Sequence, residues 1–144
     1  MTDDEFIAGF ENCTFPNESF HHADHVHMAF LYLCRYPALE ALQRFSASLT
    51  RFAAASGKPH LYNETVTWAF LFLIRERMVR GGCEQNWLQF AAANADLLEW
   101  KDNVLKKYYR EETLKSDLAK RTFLFPDKTS ARAPKMKVRD FSVR

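Results

Sequence analysis

Apolar residues recur along this chain at intervals of three and four, and no segment shows the strict alternation of a half-buried strand. Phe6, Ile7 and Phe10 mark a first helix over residues 3–10, with Asp3, Asp4 and Glu5 matching its positive N-terminal end. A second helix is predicted from about position 21 to 36. It is apolar nearly all round between Val26 and Cys34, apart from His27, which marks a central, buried helix with Cys34 as inert core. Pro37 sits at a first helical position. The third helix it opens carries Leu39, Leu42, Phe45, Leu49, Phe52 and Ala53 on one stripe and stops at Gly57.

Asn63 reads as the N-cap of a fourth helix reaching about position 80, where Gly81-Gly82 halts it. Trp87, Leu88 and Phe90 define a fifth over residues 84–95. Residues 96–109 are expected to add another, ending in Lys106-Lys107, and residues 113–124 one or two short turns capped by Ser116. The prediction is an all-α, single-domain bundle of about five to seven helices over residues 1–127. A basic C-terminal tail, 128–144, follows, where Lys, Arg, Ser, Ala and Pro replace the apolar pattern and order is not expected.

Composition narrows this picture. The length of 144 residues suits one domain, and 13 phenylalanines can fill a thick helical core or line an apolar pocket. The odd cysteine set, Cys13, Cys34 and Cys83, has no CxxC spacing, so a reduced environment is expected. No secretory leader pattern and no apolar run near the length of about 20 residues that a membrane span needs is visible. A cytoplasmic protein away from membranes is the expectation. The net charge of +2 is uneven: residues 128–144 hold six basic and one acidic side chain, +5, leaving −3 for the rest. Nucleic-acid binding would rest on that tail alone, with no base-reading element, and is not expected. The tail fits an acidic partner or a neighbouring copy in a homo-oligomer.

Candidate chemistry centres on His22-Ala23-Asp24-His25. Residues three apart share a helix face with Cβ atoms about 5–6 Å apart, and the same face continues through Ala29, Tyr32 and Tyr36. Two imidazoles so placed can hold one metal ion, with Asp24 supporting a ring from behind. Glu64, the first acid of an otherwise apolar helix, is the candidate third ligand and general base, surrounded by Tyr62, Asn63, Thr65 and Thr67. Structural readings stand beside these: His25 as a bonded core residue, Glu64 as a first-turn acid, Asn63 as a cap, His60 as a solvated turn residue and Tyr108-Tyr109 as packing.

Four segments, Phe20-His-His-Ala-Asp-His-Val26, Tyr62-Asn-Glu-Thr-Val-Thr67, Tyr108-Tyr109 and Phe125-Pro-Asp127, together resemble a family. It comprises small, mostly bacterial, functionally uncharacterised helical proteins marked by aromatic-Thr-His-x-x-His-Leu, Tyr-His-Glu-Thr-x-Thr, a Tyr-Tyr pair and a Pro-Asp ending. The resemblance implies that His22, His25 and Glu64 belong to one site. Asn63 stands where the family carries a histidine, and His21 where it prefers threonine.

Two functions follow. One is a metal-dependent enzyme acting on a small molecule, with His22, His25 and Glu64 on Fe, Zn, Mn or Ni and with Asn63, Thr67, Tyr32 and Tyr62 around the substrate. The other is a non-catalytic binding module, its aromatic pocket or groove taking a small molecule or a partner helix.

Overall fold

Capping side chains set the helix boundaries. The computed structural model describes residues 1–82 and 85–128, Asn17 by its backbone alone. Thr2 Oγ1 accepts the Glu5 N–H at 3.1 Å and starts α1 (Asp3–Glu11). After it come α2 (His22–Arg35), α3 (Ala38–Ala55) and α4 (Glu64–Gly81). Asn86 and Gln89 exchange side-chain bonds with each other's backbone N–H and start α5 (Trp87–Ala93). Two short helices, α6 (Glu111–Leu114) and α7 (Asp117–Arg121), close the order, the second capped by Ser116 as expected. Among the described residues there is no strand, and no helix is long and apolar enough to cross a membrane. The fold is an all-α bundle.

Helix α2 is the central element. It packs on α3 and α4 and also meets α1, and its residues Val26 and Met28 to Leu33 are buried. On the α1–α3 side the core is a block of aromatic rings. Phe10, 0% exposed, lies 5.4 Å from Phe20, 5.5 Å from Phe52 and 5.9 Å from Phe45, centroid to centroid. Gly9 gives Phe15 its place, since a Cβ there would collide with the Phe15 ring. Gly57 (φ +75°) and Gly82 (φ +89°) leave α3 and α4 in the left-handed region that the predicted helix stops require.

The far side is held differently. The extended segment after α7 runs back across α4. Thr65 Oγ1 donates to Thr122 O (2.8 Å) and accepts from Leu124 N (3.1 Å), while Tyr109 Oη donates to Leu124 O (2.7 Å). Tyr108 O accepts from the N–H groups of Asp127 and Lys128, and the Asp127 carboxylate accepts from Arg110 N and from the Thr113 hydroxyl.

Five expectations change. Residues 96–109 form not one helix but two 3₁₀ turns, Ala95–Leu98 and Val104–Lys107. Asn103 divides them: its side chain accepts from Leu105 N and donates to Trp100 O, a local alternative to helical bonding. Pro37 caps α3 instead of opening it. Leu39, expected on the apolar stripe, is 79% exposed, and Cys34, expected in the core, is exposed because the last turn of α2 reaches the surface. Cys83, Glu84 and tail residues 129–144 lie outside the described residues; Lys128, expected to open the tail, is bonded to the body.

Candidate functional site

The predicted site residues divide into three separate settings. At the start of α2, His21 adopts extended backbone geometry and its N–H donates to Asp24 Oδ2 at 2.9 Å. Asp24 is thus engaged in starting the helix. His22 follows as the first helical residue, and its Nε2 lies 2.9 Å from Leu97 O. A carbonyl can only accept, so Nε2 carries a proton; in the neutral ring Nδ1 then keeps the lone pair. The His22 ring sits 4.8 Å from Phe70 on α4 and 5.0 Å from Trp100, which is 54% exposed. Burial pushes its pKa below the usual value, against the opposing pull of the Leu97 carbonyl and the Glu99 carboxylate.

His25 lies one turn on, 4.7 Å from the Phe20 ring. Burial, then the neighbouring His22, lowers its pKa to about 4, opposed by Asp24. Both imidazoles are therefore neutral at neutral pH. His27, on another face, is stacked at 4.3 Å on Trp87 and lies 4.8 Å from Phe6; its Nε2 is buried with no hydrogen-bond partner among the described residues.

The second setting is the start of α4. Asn63 caps it as predicted: Oδ1 accepts from Val66 N at 3.0 Å. Its Nδ2 donates to Leu114 O at 2.7 Å, so both ends of the amide are engaged. Thr67 Oγ1 donates to Asn63 O at 2.7 Å. Glu64 Oε1 accepts from Tyr62 Oη at 2.6 Å. Burial and then that carboxylate push the Tyr62 phenol up to about 12, partly offset by the Ser46 hydroxyl. Tyr62 is a neutral hydrogen-bond donor here.

Tyr32 defines the third setting. Its Oη donates to Glu11 Oε2 at 2.5 Å and lies 3.3 Å from Ser48 Oγ, which accepts from Arg51. Burial, then Glu11, raises its pKa well above the ordinary tyrosine range. This network joins α1, α2 and α3, whereas the sequence placed Tyr32 beside the histidine pair.

The expected joining of His22, His25 and Glu64 is not found: among the described residues no three His, Cys, Asp or Glu side chains gather closely enough to hold a metal ion. Helix geometry accounts for it. His22 meets α4 at Phe70, about 9 Å along the axis from Glu64 at a rise of about 1.5 Å per residue. Glu64 instead faces Tyr62. His60 is exposed.

The sequence reading missed Leu97 O, Phe70 and Trp100. A backbone acceptor leaves no signature in composition, and Trp100 fell within a stretch read as continuous helix. It also missed that Tyr108-Tyr109 and Pro126-Asp127 meet in space; the aromatic, Pro and Asp residues were visible, but nothing in their spacing pairs them. No protein-family model matches the chain, and no similar curated protein or solved structure was found.

Proposed function

We propose that this protein is a binding module for a planar small molecule, seated at the start of α2 beside His22, His25 and Trp100. The carrying observation is the His22 ring, tethered through Nε2 to Leu97 O between Phe70 and the exposed Trp100. Its Nδ1 lone pair can accept from a ligand N–H or O–H while Trp100 offers a flat apolar surface. The second motif supports a binding role over a reaction. Asn63, Thr65 and Thr67 are engaged in holding α4 to its surroundings, and Glu64 is bonded to Tyr62.

Titration with indole and phenol, followed by imidazole ¹⁵N shifts, tests this. The His22 and His25 resonances are expected to move together at millimolar ligand, and His22→Ala or Trp100→Ala to abolish the response. Unmoved resonances at saturating indole and phenol would refute the site.

One observation favours a second reading, a metal-dependent activity. A metal-bound histidine commonly donates its other ring N–H to a carbonyl, as His22 does to Leu97. His22 and His25 would then be the protein's donors for a divalent ion such as Fe, Zn, Mn or Ni, and Glu64 would stand apart. Zinc or nickel shifting both imidazoles at a one-to-one ratio would select this reading over the first.

A further inference from the structure

Charge is segregated along this chain. Residues 1–99 hold seven basic and twelve acidic side chains, net −5, whereas residues 100–144 hold thirteen basic and six acidic, net +7. The fold gathers part of that positive charge with exposed rings. Lys106 Nζ donates to Lys101 O at 2.7 Å, and Lys128 Nζ to Lys106 O at 2.7 Å. Lys128 N donates to Tyr108 O at 3.0 Å. These bonds draw the chain at 101, 106–108 and 128 into one surface. Tyr108 belongs to that surface, Trp100 precedes Lys101 in the chain and Phe125 lies three residues before Lys128; the three rings stand 40%, 54% and 83% exposed.

Several acids near this surface already have partners. Asp96 pairs with Arg77, Glu111 with Lys115, and Asp127 bonds Thr113 and Arg110 N. Glu99, Asp102 and Glu112 belong to the same stretch of chain and keep part of its charge negative.

We propose that this surface binds single-stranded nucleic acid, its lysines facing phosphates and its three exposed rings stacking on bases. Phosphates satisfy the charge, and unpaired bases satisfy the flat rings. A duplex offers no free base faces, and α6 and α7, four and five residues long, are too short to serve as groove-reading helices. An acidic polypeptide would answer the lysines but leave the rings unused. The sequence alone placed basic character in the tail; the structure adds Lys101, Lys106 and Lys107 of the body and the rings beside them.

Fluorescence anisotropy on the full chain tests this with labelled oligo-dT and oligo-U about fifteen nucleotides long, within the span such surfaces cover. Both are expected to bind, to weaken with salt at a logarithmic slope of about −0.7 per phosphate engaged, and to quench tryptophan and tyrosine emission. Tyr108→Ala and Phe125→Ala, at exposed positions, are each expected to weaken binding about tenfold. Lys107→Ala is expected to flatten the salt slope. Binding of polyglutamate or of a duplex as tight as that of oligo-dT would overturn the proposal. So would unchanged affinity in the Tyr108→Ala, Phe125→Ala double variant with native circular dichroism, or no salt-dependent binding at all. Trp100 serves both sites, but the indole and phenol titration reads His22 and His25 whereas the Tyr108, Phe125 and Lys107 variants read the strand-binding surface, so the failure of one is distinguishable from the failure of the other.

Discussion

The two sides of α2 and α4 are held together by different physics. Towards α1 and α3, Phe6, Phe10, Phe15, Phe20, Phe45 and Phe52 pack ring against ring. Towards the C-terminal segment, Asn63, Thr65, Tyr109 and Asp127 stitch the chain with hydrogen bonds to backbone groups. Ring packing is non-directional and tolerates sequence drift of similar volume. Stitching depends on single atoms, and leaving a buried partner unmet is costly. The region richest in motif-like polar residues is thus the one where those residues build the fold.

The largest expected effect attacks the aromatic side. Phe10→Ala removes a ring with four aromatic neighbours and should cost about 3–5 kcal/mol in urea unfolding. A cost below about 1 kcal/mol would mean that the rings do not act as one core.

Acid should separate the two sides next. His25 has a folded pKa of about 4 against about 6.5 unfolded, so the unfolded chain binds more protons between those values. Its contribution is complete above about pH 6.5 and is lost as pH falls towards 4, by about 3 kcal/mol at most. His22 and His27, both lowered, add in the same direction. Asp127 is depressed by the Thr113 hydroxyl and Arg110 N–H, so its contribution is present above its unfolded value of 3.8 and is lost as pH falls from there through its folded value, below the histidine window. Stability measured from pH 7 to 4.5 should drop in the parent and stay flatter in His25→Gln.

On the stitched side, Thr65→Val keeps volume but leaves Thr122 O and Leu124 N without their partner, and should cost about 1–3 kcal/mol. Asn63→Ala removes a cap and the bond to Leu114 O and should cost about 1–2 kcal/mol. Amide exchange should show the losses confined to the first turn of α4 and to residues 110–128. Uniform loss of protection would dissolve the distinction between the two sides.

Most of the helical order was legible because periodicity and caps are local. Asn63, Ser116, Gly57 and Gly82 do what their residue types allow. The break at Asn103 was missed because its side chain competes with helical bonding only once Leu105 and Trp100 are placed. The histidine pair was readable at its spacing, and Ala29 and Tyr32 confirm the inward face. Its partners were not, since Leu97 and Phe70 come from elements distant in sequence. Glu64 fitted the pair by residue type, and only the register of α2 against α4 sets them apart.

The bridge made by Thr65 also orders events in time. Its hydroxyl meets Thr122 and Leu124, 57 and 59 residues further along the chain. On a ribosome, α4 emerges long before its cover does. The aromatic half can condense once residues 6–52 are out, whereas this closure waits for residues 122–124 to leave the exit tunnel.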